Sequence, residues 1–197
     1  MWRPNITRAG LAGGEALMAP AFMSMGVDPS TTATGIVILS PNTDGPPGLL
    51  LERDIKYPKL EGLARKIAIV TDIMELVHQF KPDRLVVEGY SLNMKNASSV
   101  VPLVELGGIL RLMMKLDGLS WYAPRATEVK KFVTGKGNVN KDAVMMHVLK
   151  RWDHTSLSNN TADAYGLSAM GLAHANRLRG VTLDMRKIVG SMKELSN

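Results

Sequence analysis

Three short apolar runs separated by polar turns form the first readable pattern in the chain. The first run leads into Asp28, a turn of Pro, Ser and Thr covers residues 29–34, and a second run covers residues 35–39. A loop rich in Pro, Asn and Gly (residues 41–48) precedes a third run at residues 49–55. The pattern predicts three antiparallel strands with Asp28 at the first hairpin tip. Alone, Asp28 is either a turn former that bonds backbone amides or an oxygen ligand for a divalent cation.

A helical period follows in residues 60–80. Proline at position 82 ends this helix, and the branched run at residues 84–88 is typical of a buried parallel strand that ends in Glu88. A strand, a crossover helix and a parallel strand return the chain to the same sheet, so we expect Asp28 and Glu88 near one sheet end. The apolar positions that repeat every three or four residues are Leu60, Leu63, Ile67, Val70, Met74 and Val77.

Residues 101–116 predict a helix that is apolar almost all round. Only Glu105, Arg111 and Lys115 carry charge in this segment, so its apolar surface exceeds what one sheet face would cover. The sequence leaves two partners that could bury this apolar surface. One is a second copy of the chain, which would make a homodimer through this helix, and the other is a further helix of the same chain.

A short strand at residues 120–123 and a helix that carries Lys130 and Lys131 are expected next. Residues 134–141 contain Gly and Lys but do not fit the GxxxxGK[ST] pattern, which excludes a nucleotide P-loop of that type. Lys141 falls in the first turn of another helix, after Asn138 or Asn140 as its cap. A cation opposes the helix dipole there, so Lys141 either meets a phosphate or points to water.

A final helix is expected from Asn160 or Thr161 to about residue 179. Its Ala, Gly and Ser residues form a thin face that can pack tightly on the sheet. Asp163 is placed in its first turn, where a carboxylate complements the helix dipole and Asn160 serves as the cap. The alternative interpretation makes Asp163 part of a site with the other carboxylates.

Composition narrows the possible functions. A chain of 197 residues fits one domain of ordinary size, and we expect a flexible extension (1–22), a domain (23–180) and a C-terminal tail (181–197). The absence of cysteine excludes disulfide frameworks, thiolate zinc sites and cysteine nucleophiles. A formal net charge of +6 favours a polyanionic partner. No apolar run approaches the roughly 18 residues that cross a bilayer, so we expect no membrane partner.

Three acidic residues occupy corresponding places in this predicted topology. Asp28 and Glu88 end parallel neighbouring strands, and Asp163 lies near the start of a late helix, so the three could converge at one edge of the sheet. Oxygen-only clusters of this kind hold two Mg²⁺ or Mn²⁺ ions about 4 Å apart and support phosphodiester cleavage. The net positive charge of the chain suits a negatively charged phosphodiester substrate.

Four motifs in order resemble the RuvC-type Holliday-junction resolvases of the ribonuclease H-like superfamily: GVDPSTTATG, LVVEGYSLNMKN, TEVKKFVTGKGNVNKDAV and NNTADAYGLSAMG. The resemblance implies an α/β fold with a five-stranded mixed sheet, its first three strands antiparallel, flanked by helices on both faces. It implies that Asp28, Glu88 and Asp163 are metal-binding catalytic carboxylates. It also implies that Lys141 lies near the scissile phosphate and that Lys130 contacts DNA.

The same resemblance implies a homodimer, joined through residues 101–116, that cuts a four-way DNA junction symmetrically. It also implies two Mg²⁺ ions per site, for which Mn²⁺ can substitute. Tyr90 is expected either to stack on DNA bases or to pack as an ordinary aromatic. Lys95, Lys131 and Lys136 are further candidate DNA contacts. We expect a cytoplasmic protein of a bacterial or phage-infected cell, and the faint transit-peptide character of the N-terminal extension leaves an organelle open.

One position departs from the family pattern. The family has Asp or His three residues before its last Asp, whereas this chain has Asn160, whose amide oxygen can ligate a cation but brings no charge. Asn160 is either natural, as in a divergent phage or viral branch, or an engineered inactivating change. Three functions therefore remain: a metal-dependent junction resolvase, a branched-DNA binding protein with a weakened site, and a less selective nuclease of branched DNA or RNA–DNA hybrids.

Overall fold

A computed structural model describes residues 22–89 and 97–196, and for residues 97–99 and Lys141 it describes the backbone alone. The described residues contain one mixed sheet in the order β3-β2-β1-β4-β5-β6. Strands β1, β2 and β3 are antiparallel neighbours, β4 and β5 follow in parallel with β1, and β6 pairs antiparallel with β5. The strands are β1 Ser24–Asp28, β2 Thr34–Ser40, β3 Gly48–Ile55, β4 Arg84–Val87, β5 Trp121–Tyr122 and β6 Glu194–Leu195.

Helices cover both faces of this sheet, as predicted. One face packs against α1 and α2, and the other against α3, α4, α5 and α6. Because both faces are covered, every residue of β2 is buried, and alternate residues along β2 face opposite helical layers. The helices are α1 Gly62–Phe80, α2 Ala97–Leu116, α3 Ala126–Thr134, α4 Lys141–Trp152, α5 Asn159–His174 and α6 Leu183–Gly190.

The expected five-stranded count is wrong by one strand, which comes from the predicted C-terminal tail. Residues 181–197 contain α6, whose Met185 and Val189 side chains are buried, and the two-residue strand β6. Both elements are too short to leave a clear hydrophobic period in the sequence. The domain boundaries themselves stay a prediction, because the extension 1–22 lies almost entirely outside the described residues.

Helices α1 and α2 run parallel on one face, as successive crossover helices. Lys66 Nζ lies 2.5 Å from Glu105 Oε2, and His78 Nε2 lies 2.5 Å from Asp117 Oδ2, each pair being 39 positions apart in the chain. The stripe predicted for α1 is only partly buried, because Leu63 remains 60% exposed. None of the described helices combines the length and the apolarity that crossing a bilayer requires.

Candidate active site

The ends of β1 and β4 bring Asp28 and Glu88 to the same edge of the sheet. Val27 is the register partner of Val87 in the parallel pair, and the Glu88 amide donates to the Val27 carbonyl at 2.9 Å. Asp28 is the last residue of β1 and pairs with Gly35 of β2. Since both strands point the same way, the two carboxylates leave the sheet at adjacent strand ends, which confirms the predicted crossover.

Helix α5 packs closely against β1 and β2 and carries the third carboxylate. A Cβ placed on Gly26 would lie 2.1 Å from the Ala164 carbonyl oxygen, and one on Gly35 would lie 2.2 Å from that of Asn160. Only glycine therefore allows the helix backbone this close to the strands. Asp163 directly precedes Ala164 and is 7% exposed, so α5 holds a buried carboxylate beside the sheet end that carries Asp28.

The capping interpretation of Asn160 and Asp163 is wrong. Ser158 is the cap of α5, and its hydroxyl accepts a hydrogen bond from the Thr161 amide at 3.2 Å. Asn160 is the second residue of the helix, and the first turn contains no acidic residue. Asp163 lies beyond the turn whose free amides a carboxylate would cap, so the helix start does not explain why an acid is buried there.

Two acids of β3 anchor the start of α5, and sequence reasoning missed them. Asp54 Oδ1 accepts a hydrogen bond from the Ser158 hydroxyl at 2.9 Å, and Glu52 Oε1 accepts one from the Leu157 amide at 2.8 Å. His154 Nε2 lies 3.0 Å from Glu52 Oε2, an ion-pair distance without hydrogen-bond alignment. The available signal was the spacing of Glu52 and Asp54, since alternate residues of a strand share one face.

The hydroxyl-rich turn after Asp28 bonds mainly to itself. The Thr34 hydroxyl donates to the Ser30 carbonyl at 2.8 Å and accepts from the Ser30 amide at 3.1 Å. The Ser30 and Thr32 hydroxyl oxygens are 3.0 Å apart. These side chains rigidify the β1–β2 connection, so the carboxylates remain the better candidates for cation ligands.

Asn160 joins α5 to this turn. Its Nδ2 donates a hydrogen bond to the Ala33 carbonyl at 2.8 Å. A carbonyl oxygen accepts only from the amide nitrogen, so this contact fixes the orientation of the side chain. Oδ1 is then the one atom of Asn160 that is able to ligate a cation.

The three carboxylates have the chemistry and the location in the fold that suit a hard divalent cation. Asp28, Glu88 and Asp163 offer only carboxylate oxygens, the ligands that Mg²⁺ prefers, at one end of the sheet. In residues 22–89 and 97–196, no three or more His, Cys, Asp or Glu side chains are already arranged around a common point that would hold a metal ion. The backbone therefore brings the three candidate ligands to one region, and both their role and the predicted number of ions stay predictions.

The predicted lysines lie on and between α3 and α4. Lys141 is the first residue of α4, where Asn140 is the cap and accepts from the Ala143 amide at 2.9 Å, as one of the two predicted caps. Lys131 and Lys136 are exposed, whereas the ammonium of Lys130 donates to the Val139 carbonyl at 3.2 Å. The other two candidate DNA contacts, Tyr90 and Lys95, lie outside the described residues.

Comparisons with known proteins identify the family of this chain. The family model for crossover junction endodeoxyribonuclease RuvC matches residues 24–174. A RuvC of Brachyspira hyodysenteriae is 33% identical over 56% of this chain and 67% of that protein, and one of Chlorobium phaeobacteroides is 32% identical over 75% and 80%.

Solved structures show the same fold. The Thermus thermophilus RuvC structure matches with a TM-score of 0.64 at 21% identity, covering 88% of this chain and all of that one. The same protein in complex with a Holliday junction substrate matches with a TM-score of 0.63. The sheet order, the carboxylates at its edge and the family match lead to one conclusion: this chain is a nuclease that belongs to the RuvC family of crossover junction endodeoxyribonucleases.

Proposed function

We propose that this chain resolves four-way DNA junctions by hydrolysing one phosphodiester bond in each of two strands, with Asp28, Glu88 and Asp163 as its metal ligands. The observation that carries the proposal is that β1 and β4 end side by side, and that α5, which carries a buried carboxylate, packs closely against β1. A net charge of +6 suits a polyanionic substrate.

Different interactions position the three carboxylates, and all three are proposed to bind Mg²⁺. The β1–β2 ladder fixes Asp28, the bond to Val27 fixes the backbone of Glu88, and the packing of α5 on glycines fixes Asp163. Two bound Mg²⁺ ions, or Mn²⁺ in their place, would activate water and stabilise the leaving oxygen.

Lysines on and between α3 and α4 would receive the DNA backbone. Lys141 opens α4, so its charge and the free amides of the helix start both favour a phosphate there. Lys131 and Lys136 are exposed cations of the same region. Tyr90 and Lys95 follow Glu88 in the chain, and we propose that they contact the junction close to the cut.

The direct test of this function is cleavage of a synthetic four-way junction with and without Mg²⁺, with the ends of the products mapped. Symmetric paired nicks that need the metal support resolution. Three-way junctions, flaps and RNA–DNA hybrids should compete poorly at a fixed salt concentration, which must be held constant because phosphate contacts depend steeply on salt. Equal cutting of all these substrates would replace resolution with the less selective nuclease activity.

We further propose that the protein works as a homodimer through α2. The side chains of Val101, Leu112 and Leu116 are 58%, 57% and 71% exposed, although α1 packs beside the helix. Leu63 of the neighbouring helix α1 is also 60% exposed. A single chain thus leaves an apolar area that a second copy would cover, and two copies would present two sites to two strands.

Leu112→Glu is expected to convert the dimer to a monomer, because a carboxylate would be buried at the centre of the apolar surface. Size-exclusion chromatography with light scattering measures the change. The matched control is Leu183→Glu at the start of α6, where the leucine is 77% exposed and lies on a different element. A wild-type chain that is strictly monomeric at all concentrations would remove the dimer from the proposal.

A second candidate is a junction-binding protein whose cleavage is weak, and it is favoured by Asn160. The amide of this residue brings no charge to the metal, and its nitrogen is already bonded to the Ala33 carbonyl. Fewer negative ligands hold a divalent cation less tightly. Asn160→Asp separates the two candidates, because it adds the missing charge.

We expect Asn160→Asp to lower the free energy of unfolding by about 1–3 kcal/mol without metal, since its carboxylate faces the Ala33 carbonyl without a proton to donate. Chemical denaturation in EDTA measures this loss. Asn140→Asp is the matched control, because Asn140 uses its oxygen and aspartate caps equally well. If Asn160→Asp cuts junctions as well as the wild type, the amide of Asn160 suffices for metal binding and the resolvase is supported. A large gain in Mg²⁺-dependent cutting would support the junction-binding protein with a weakened metal site.

A further inference from the structure

Asp54 of β3 lies in one row with Asp28 across three neighbouring strands. Asp28 pairs with Gly35 of β2, and Gly35 pairs with Asp54 in the next antiparallel ladder. Directly opposite residues of antiparallel strands point to the same face of the sheet, and on this face Gly35 packs against Asn160 of α5. With strands about 4.8 Å apart, the backbones of the two acids are separated by about 10 Å. A fourth acid therefore lies on the face and at the edge that carry the proposed metal ligands.

Both oxygens of the Asp54 carboxylate already have partners. Oδ1 accepts a hydrogen bond from the Ser158 hydroxyl at 2.9 Å, and Oδ2 lies 3.1 Å from the ammonium of Lys56. The side chain of Asp54 is 13% exposed, whereas that of Lys56 is 55% exposed. An ion pair with an exposed lysine contributes little, so the bond to Ser158 is the contact through which Asp54 can act on the site.

The Ser158 hydroxyl links Asp54 to the first turn of α5. This hydroxyl has one proton, which it donates to Asp54, so its lone pairs remain for the Thr161 amide that donates to it at 3.2 Å. Asp54 thus holds the hydroxyl in the orientation that caps the helix, and it joins this cap to β3. Asn160 and Asp163 follow two and five residues after the cap, so a displacement of the helix start moves both.

We propose that Asp54 is a positioning residue for cleavage, which fixes the start of α5 through the Ser158 hydroxyl and so places Asp163, and that it is not itself a metal ligand. The proposal rests on the proposed function, since that function makes Asp163 a metal ligand. The competing role, a further metal ligand, requires the carboxylate to give up its contacts with Ser158 and Lys56. The two roles lead to opposite expectations for the amide variant Asp54→Asn.

Hydrogen exchange in EDTA tests the positioning step without metal and without DNA. The Thr161 amide is bonded to the Ser158 hydroxyl, so it reports whether the cap is held in place. We expect this amide to exchange about tenfold faster in Asp54→Ala than in the wild type. Asp54→Asn keeps an oxygen that accepts from Ser158, so its exchange should stay close to that of the wild type. Unchanged exchange in Asp54→Ala would overturn the proposal.

Arg53→Ala is the matched control, because Arg53 is the neighbouring residue of the same strand, is exposed and points to the opposite face. It should change neither the exchange of the Thr161 amide nor cleavage. Asp54→Ala is expected to fold, since Glu52 of β3 still accepts a hydrogen bond from the Leu157 amide at 2.8 Å. Equal acceleration of exchange in both alanine variants would trace the effect to a general loosening of β3 and would contradict a role through Ser158.

Cleavage per folded molecule separates a positioning residue from a metal ligand. In Mg²⁺ we expect Asp54→Ala to lower kcat about tenfold while KM for the junction stays unchanged, as expected for the loss of one charged hydrogen bond that supports the reacting site. Asp54→Asn should recover most of that loss, because it keeps the acceptor and removes only the charge. A metal ligand would lose its charge in both variants, so equal losses of kcat would overturn the proposal.

A double-mutant cycle shows whether Asp54 acts through Ser158. Ser158→Ala removes the hydroxyl, so the addition of Asp54→Ala should lower kcat by about twofold or less beyond the effect of Ser158→Ala alone. Losses that multiply would mean that Asp54 acts by another route, and they would overturn the proposal. A wild-type protein that cuts no junction would instead defeat the proposed function, and the exchange of the Thr161 amide would still decide whether Asp54 holds the start of α5.

Discussion

Asp28→Asn is expected to lower metal-dependent cleavage of a four-way junction by about 10³-fold or more, which corresponds to about 4 kcal/mol of transition-state stabilisation. The amide keeps the size of the side chain and its ability to form hydrogen bonds, but it removes the negative charge that, in the proposed function, holds the cation. Because Asp28 ends a strand whose ladder to β2 consists of backbone bonds, the fold should persist. Single-turnover cleavage at saturating enzyme measures the effect.

Glu88→Gln and Asp163→Asn should give losses of the same order, because each removes one negative charge from the proposed set of metal ligands. Asp44→Asn provides the matched control, since Asp44 lies in an exposed loop after β2, at the other end of that strand. Melting temperatures in EDTA show whether each variant folds. Normal nicking by any folded variant would remove that residue from the site, and equal loss in Asp44→Asn would trace the effect to the assay.

The position of two of the three carboxylates was predictable from local pattern. The apolar runs before Asp28 and Glu88 are short and branched, the intervening segment has a helical period, and crossover connections are right-handed. These local features predict that the strands ending in Asp28 and Glu88 lie side by side, without any knowledge of contacts between residues distant in the sequence. Asp163 was correctly placed on the late helix, but the start of that helix was misread, because Asn160 resembles a cap as closely as Ser158 does.

Contacts between distant segments were beyond prediction. The Asp54 to Ser158 hydrogen bond joins residues 104 positions apart, and the Asn160 to Ala33 bond joins residues 127 positions apart. No local period encodes such pairs, which depend on how α5 lies across the sheet. The strand β6 was missed for a related reason, because two residues acquire a strand conformation only by pairing with β5.

Tight packing makes Gly35 a sensitive position for both the fold and the site. Gly35→Ala is expected to lower the free energy of unfolding by about 3 kcal/mol or more, because overpacking against backbone leaves no side chain free to move aside. The new Cβ would lie 2.2 Å from the carbonyl oxygen of Asn160 and 2.9 Å from the Thr161 nitrogen. Denaturant unfolding in EDTA measures the loss.

The same substitution should damage the site more than its stability loss alone explains. Relief of the overlap requires the start of α5 to move away from β2, and that movement carries Asp163 away from Asp28, the register partner of Gly35. Cleavage per folded molecule should therefore fall as well. Gly190→Ala is the control: the last residue of α6 has nothing within 4 Å of a new Cβ, and the change should alter stability by about 1 kcal/mol or less. If the free energy of unfolding of Gly35→Ala equals that of the wild type, α5 can move away from β2 without loss of stability. Close packing on glycine would then not be what fixes the position of Asp163.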